Sequence, residues 1–405
     1  MFKSFLKINS GQKSDWPKNT QNLIVLANVV VLFCIIFVIF KSNRGDNIVY
    51  KTNSPEIKSA AQKLAKDCFS GERESCYKGA FEKLINNYNF SYAEQTLYAL
   101  QDIDPLTKSC HVIAHFMSRT AERKNPGDWL SLLDSVNVNA CGSGFLHGVL
   151  EARLGDDPDT EFNAELSEEI CNRGTDDYRK RMCTHFMGHF FIVNTNDDVA
   201  RAVPYCDGIS NELKFDCLNG LFMEHNQKIA LTDHGLLPAP VYSPSYAKSL
   251  EDVCLKYSGI AASACYTELA EVYAKTFGYN ADVIYKHCNE NKDYMQNCYG
   301  KGQTILSTYP MDLTAKQLTD ICKFYKDEGR FKSCLDNILS SLMYYSPKFT
   351  GRGLVLCQNI PNYRDWCVTE LGNKLAQFVP SLEERLVFCQ SAENEKYKNL
   401  CAKKG

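Results

Sequence analysis

Apolar side chains recur at positions i, i+3, i+4 and i+7 through most of the chain from about residue 56 onward, and this spacing is typical of amphipathic α-helices. Alternating β-branched runs, which would indicate strands, are scarce. One stretch shows the pattern clearly: it predicts a helix over Thr314–Tyr325, a turn over Lys326–Arg330 and a second helix over Phe331–Tyr345. The pattern therefore predicts an all-α protein built of helix–turn–helix units.

A different pattern stands near the N-terminus, where the eighteen residues 23–40 are apolar except for Asn28. A helix of this length spans roughly 27 Å, about the thickness of a bilayer core. The pattern predicts a cytoplasmic tail over 1–21, a transmembrane anchor over 22–41 and a linker over 42–55. Excess lysine before the anchor predicts that the N-terminus is cytoplasmic and that the bulk of the chain is periplasmic or extracellular. A cleaved signal peptide is the alternative, but no small-residue cleavage site follows the apolar run.

Cysteine pairs divide the C-terminal half into regular units. The first members of these pairs are 34, 34, 35 and 32 residues apart, a period typical of stacked helical hairpins. The same spacing extends towards the N-terminus, and the predicted disulfides are Cys68/Cys76, Cys171/Cys183, Cys206/Cys217, Cys254/Cys265, Cys288/Cys298, Cys322/Cys334, Cys357/Cys367 and Cys389/Cys401. Cys110 and Cys141 have no partner in their own hairpins, so we expect them to bridge neighbouring hairpins.

Counting the second helices predicts an α-solenoid of about ten disulfide-stapled hairpins. N-terminal helical repeats are expected over 56–230, a proline-containing loop over 231–247 and C-terminal helical repeats over 248–405. Over roughly residues 60 to 405 the chain resembles tetratricopeptide and Sel1-like repeats. The resemblance rests on the period, the helix–turn–helix pattern and one disulfide per repeat. This resemblance implies a solenoid surface that binds a protein or peptide ligand.

Composition narrows the functional classes. The chain has nineteen cysteines, and the eighteen outside the apolar segment form an even set that predicts an oxidising compartment. No CxxC pattern is present, so zinc ribbons and thioredoxin-type redox sites are not supported. The net charge of −3 and the 44% of hydrophobic residues indicate neither a nucleic-acid partner nor a disordered chain.

Six of the eight histidines lie between Cys110 and His225, in what looks like one unit written twice. His111-Val-Ile-Ala-His115-Phe recurs 74 positions later as His185-Phe-Met-Gly-His189-Phe. A second pair of segments, Cys141-Gly-Ser-Gly-Phe-Leu-His147-Gly-Val-Leu-Glu151 and Cys217-Leu-Asn-Gly-Leu-Phe-Met-Glu224-His225, is separated by 76 positions. Glycines at 144, 148, 188 and 220 fall on the same helices, where each costs about 1 kcal/mol relative to alanine, so they indicate close helix packing or room for a ligand.

Spacing gives this cluster a chemical meaning, because residues i and i+4 share one face of a helix. Imidazole and carboxylate are ordinary ligands of transition metals. The sequence therefore predicts a divalent transition metal, zinc or iron, whose candidate ligands are His111, His115, His147, Glu151, His185, His189, Glu224 and His225. Glu151 and Glu224 are also candidate general bases, and the chemistry expected is metal-dependent hydrolysis or oxidation. The alternative is a protein-binding scaffold in which these side chains form a structural network.

Overall fold

The structure is a computed structural model, and it describes residues 54–69, 73–104, 107, 110–138, 140–155, 163–173, 177–229, 232, 237–308 and 314–403. All regular secondary structure in these ranges is helical, which confirms the all-α prediction. The predicted tail and transmembrane anchor, and the linker up to residue 53, lie outside the described residues. Among the helices that the structure describes, none combines the length and the apolar character needed to cross a bilayer.

The described α-helices are, in chain order, α1 (Pro55–Asp67), α2 (Arg73–Asn87), α3 (Phe90–Leu100), α4 (His111–Lys124), α5 (Trp129–Ser135), α6 (Gly144–Gly155), α7 (Ala164–Cys171), α8 (Asp177–Asn194), α9 (Val199–Asp207), α10 (Asn211–Gln227), α11 (Pro244–Cys254), α12 (Gly259–Phe277), α13 (Ala281–Glu290), α14 (Met295–Thr308), α15 (Ala315–Asp320), α16 (Glu328–Tyr345), α17 (Thr350–Gln358), α18 (Arg364–Phe378), α19 (Leu382–Phe388) and α20 (Glu395–Ala402). Helix α11 begins at Pro244, inside the predicted 231–247 loop, because proline is preorganised for the first turn of a helix.

Consecutive helices form ten hairpins in the described part of the chain, from α1–α2 to α19–α20. Most first helices of these hairpins begin at a short polar side chain that accepts a hydrogen bond from a free backbone N–H of the first turn. These caps are Asn89, Asn163, Asp198, Ser243, Asn280, Thr314 and Ser381. The sequence thus marks where most of these hairpins start.

Disulfides join the two helices of eight hairpins just below the turn, and all eight predicted pairs are confirmed. The ninth disulfide of the described residues joins Cys110 to Cys141. It connects the residue before α4 to the turn before α6, so it bridges neighbouring hairpins as expected.

The second helices of successive hairpins pack on one another in sequence, from α2 through α4, α6, α8 and onward to α20. They form one continuous layer of stacked helices. The four helices that carry the predicted ligands, α4, α6, α8 and α10, are consecutive members of this layer.

Glycines allow these four helices to pack backbone against backbone. A Cβ atom added at each glycine would lie far closer to a carbonyl oxygen of the neighbouring helix than the 3.4 Å of ordinary contact. The distances are 2.4 Å from Gly144 to the oxygen of His111, 2.1 Å from Gly148 to that of His115, 1.9 Å from Gly188 to that of Cys217, and 1.8 Å from Gly220 to that of His185. Close helix packing is therefore the role of these glycines.

The later hairpins fold back onto the earlier ones. The Tyr344 hydroxyl at the end of α16 lies 3.6 Å from the sulfur of Met182 in α8. The Lys348 ammonium donates to the carbonyl of Tyr98 at 2.6 Å and forms an ion pair with Asp102. Tyr344 and Met182 also line a cavity between the ligand-bearing helices and the C-terminal repeats.

Candidate metal centre

One cavity of about 900 Å³ is lined by seven of the eight predicted ligands. They are His111, His115, His147, Glu151, His185, His189 and Glu224. The C-terminal repeats complete the lining with Lys301 and Thr304 of α14 and Tyr344 and Tyr345 of α16. The structure therefore brings together residues that are far apart along the chain.

Three of these histidines form a compact group. Ligand nitrogens of His111, His115 and His147 all lie within 4.8 Å of one another. His111 and His115 stand one turn apart on α4, and the His147 ring projects from the adjacent α6 at ring-centroid distances of 5.4 and 5.3 Å. This close approach follows from the backbone contact that Gly144 and Gly148 permit. The group has the composition and spacing of a set that could hold a metal ion.

Hydrogen-bond partners fix the tautomers of two of these rings. The Nδ1 atom of His111 lies 3.0 Å from the carbonyl oxygen of Cys141, and that of His115 lies 2.9 Å from a carboxylate oxygen of Glu151. Carbonyl and carboxylate oxygens only accept, so each Nδ1 carries the hydrogen, and the neutral form of each ring has its lone pair on Nε2. Arg119 holds the other oxygen of Glu151 at 3.1 Å. This is the arrangement by which proteins orient histidines towards a metal.

A left-handed turn positions the carbonyl that faces His111. Cys141, Gly142 and Ser143 have φ values of 52°, 56° and 65°, and this conformation costs about 1–2 kcal/mol for each non-glycine residue. The disulfide to Cys110 holds the turn at one end. Strained backbone of this kind persists where the surrounding structure enforces it and is concentrated at functional sites.

His147 is the most enclosed of the group, with 4% of its surface exposed. Its Nε2 atom is buried and has no hydrogen-bond partner in the part of the chain that the structure describes. A buried polar atom without a partner costs about 1–3 kcal/mol. A bound cation would remove that cost.

Burial disfavours the charged forms of His111, His147 and His185. It lowers the pKa of His111 to about 3, and the neighbouring His115 lowers it further while the backbone carbonyl of Cys141 opposes the change. Burial and the adjacent histidines likewise hold the pKa of His147 well below its usual value. The same causes lower the pKa of His185. Neutral imidazole is the form that binds metals.

The second histidine pair faces the same cavity from α8. The Nε2 atoms of His185 and His189 are 3.1 Å apart, and the Nδ1 atom of His189 lies 3.2 Å from a carboxylate oxygen of Glu224. The His147 ring lies between the two pairs, with centroid distances of 5.8 Å to His185 and 6.1 Å to His189.

The remaining candidates take other positions. Glu151 and Glu224 each face a histidine Nδ1 atom, the position of an orienting acceptor. His225 is not among the residues that line the cavity, and its Nδ1 atom lies 2.7 Å from Asp197. Adjacent residues of a helix point about 100° apart, so Glu224 can face the cavity while His225 faces away from it.

Sequence reasoning missed the contribution of the C-terminal repeats. The Lys301 ammonium donates to Glu268 of α12 at 3.0 Å, and Glu268 is completely buried. Burial alone would lower the pKa of Lys301, but Glu268 and Glu271 outweigh it and the pKa is raised. Glu268 and Glu271, which lie among apolar residues of α12, were the signal for this network, because buried carboxylates require partners.

Comparison of the chain with protein-family models, with curated proteins and with solved structures finds no match. The class of this protein is therefore defined by its fold and its site alone. It is a stacked-hairpin, disulfide-linked helical protein with a histidine-lined cavity.

Proposed function

We propose that this chain is a metalloprotein that binds a divalent transition metal through His111, His115 and His147. The observation that carries the proposal is the convergence of three imidazoles whose ligand nitrogens lie within 4.8 Å of one another. The Nδ1 partners of His111 and His115 support it, because they leave the Nε2 lone pairs available to a cation. The buried Nε2 atom of His147, which has no hydrogen-bond partner in the described residues, supports it further.

Zinc fits this ligand set better than iron. Non-haem iron oxygenases typically use two histidines and one carboxylate, whereas the carboxylate nearest this group, Glu151, faces the Nδ1 atom of His115 and the guanidinium of Arg119. Three histidines with a fourth position open to water or substrate are typical of catalytic zinc. Zinc in such a site lowers the pKa of a bound water and makes it a nucleophile at neutral pH.

The proposed activity is metal-dependent hydrolysis of a small substrate. A cavity of about 900 Å³ lies within the usual range for small-molecule sites, about 300–1,000 Å³. In this proposal Glu151 holds the ring of His115, and Glu224 holds the ring of His189 on the opposite wall. Both carboxylates are thus positioning residues.

The proposed setting is extracytoplasmic. Nine disulfides join the described cysteines, and such bonds persist in oxidising compartments. With the apolar segment at 22–41 as a membrane anchor, the N-terminus would be cytoplasmic and the metal site would face the periplasm or the extracellular space.

Elemental analysis of the purified full chain tests the proposal. We expect at least one transition-metal ion per chain, and one ion fewer in His111→Ala and in His147→Ala than in the parent chain. His287→Ala is the matched control, because that ring stacks on Phe277 at a centroid distance of 4.2 Å and does not line the cavity. A folded, metal-free parent chain would contradict the proposal and would favour a scaffold that binds a protein or peptide on its solenoid surface.

A further inference from the structure

The histidine pair on α8 has the same setting as the pair on α4. In each case a glycine of the next second helix lies against the carbonyl of the first histidine, Gly144 for His111 and Gly220 for His185. In each case a carboxylate of that next helix faces the Nδ1 atom of the second histidine, Glu151 for His115 and Glu224 for His189. Both copies of the repeated segment therefore place an orienting carboxylate beside a histidine pair.

The second pair already has the separation of two metal ligands. Two nitrogens bound to one tetrahedral zinc ion at about 2.0–2.1 Å lie roughly 3.3 Å apart. The Nε2 atoms of His185 and His189 are 3.1 Å apart. No large side-chain movement is needed for both to contact one cation.

The partner of His189 determines which of its nitrogens carries the lone pair. Its Nδ1 atom faces the carboxylate of Glu224, which is 1% exposed. A carboxylate accepts and does not donate, so Nδ1 carries the hydrogen and Nε2 presents a lone pair to His185. The short contact between the two Nε2 atoms is therefore made either by a hydrogen on the Nε2 atom of His185 or by a metal ion that both atoms bind.

We propose that the cavity binds a second divalent transition-metal ion through His185 and His189, which makes the centre dinuclear. The second ion shares the cavity with the first but depends on different side chains. Because His185 and His189 line the cavity, water or substrate oxygens there would fill the remaining coordination positions. Paired metal ions in one cavity are typical of hydrolytic enzymes such as phosphatases and nucleases, in which they stabilise the attacking and leaving oxygens of an in-line displacement.

Metal stoichiometry tests the proposal. The full chain is stripped with a chelator and then titrated with Zn²⁺ during equilibrium dialysis, with bound metal measured for each variant. We expect two ions per parent chain, one in His185→Ala and in His189→Ala, and one in His111→Ala. If the parent chain binds one ion, and this ion is retained in His185→Ala but lost in His111→Ala, the second site is overturned and the first remains. No bound metal in any variant would overturn both sites.

A milder variant keeps the test decisive if an alanine variant fails to fold. Glu224→Gln retains the size of the side chain and removes the charge that faces His189. Loss of an orienting partner typically weakens metal affinity by about 10–100-fold. We expect that loss for one of the two Zn²⁺ ions and no change for the other. Unchanged affinity for every bound ion would count against the second site.

Discussion

A methyl group at position 220 should force α8 and α10 apart. The Cβ atom of Gly220→Ala would lie 1.8 Å from the carbonyl oxygen of His185 and 2.8 Å from the carbonyl carbon. Both atoms belong to backbone, so rotation of a side chain cannot relieve the overlap. The two helices must separate by more than an ångström, and Glu224 on α10 then moves away from His189 on α8.

The expected magnitude follows from two opposing effects. Overpacking of a close contact costs about 1–3 kcal/mol, with backbone overlaps at the upper end. Alanine regains up to about 1 kcal/mol over glycine within a helix. Gly220→Ala should therefore lower the free energy of unfolding by about 2 kcal/mol.

Gly300→Ala is the matched control. Gly300 also lies in a second helix, α14, but a Cβ atom there would have nothing within 4 Å. This variant should be more stable than the parent by about 0.5–1 kcal/mol. Guanidinium unfolding with the disulfides intact, followed by helical circular dichroism, measures both. Equal stability of the two variants would refute the packing argument.

Two further predictions concern pH and the bridging disulfide. Burial raises the pKa of Glu94 to about 7 although the Tyr98 hydroxyl donates to it. The folded chain therefore keeps a proton that the unfolded chain releases near pH 4.5. This stabilisation is present below that pH and is lost as pH rises through 7. In urea unfolding, Glu94→Gln should match the parent at pH 4 and exceed its stability by roughly 3 kcal/mol at pH 8, and a pH-independent difference would contradict this. Replacing Cys110 and Cys141 by alanine opens a loop with a sequence separation of 31 and should lower the free energy of unfolding by about 3–4 kcal/mol. It should also weaken zinc affinity, because the Cys141 carbonyl orients His111, and unchanged affinity in dialysis would argue against that role.

Much of the fold could be predicted because it is local. The period near 34 residues and the cysteine spacing depend on one hairpin at a time, and the caps such as Thr314 mark where first helices begin. The odd pair Cys110 and Cys141 was predictable by elimination. The fold-back of Lys348 onto Tyr98 was not, because the curvature of a solenoid accumulates from small rotations between hairpins that no single repeat reveals.

The site likewise contains some features that the sequence predicts and others that it does not. The i, i+4 pairs placed His111 with His115 and His185 with His189, and stacking of equivalent helices brought the pairs together. Helical geometry also explains why His225 does not line the cavity, because the adjacent residues Glu224 and His225 do not share a helical face. The left-handed turn at 141–143 and the arrival of Tyr344 from a distant repeat depend on tertiary contacts, which sequence spacing does not encode.

X-ray absorption at the metal K-edge of the purified full chain tests directly whether histidines hold a metal ion in this protein. We expect a first shell of nitrogen and oxygen atoms at about 2.0–2.1 Å, with the outer-shell scattering of histidine rings, and a smaller absorption edge per chain in His147→Ala because one bound ion is lost. A first shell of sulfur atoms, a shell without imidazole scattering, or the absence of a metal edge would contradict a histidine-bound metal centre.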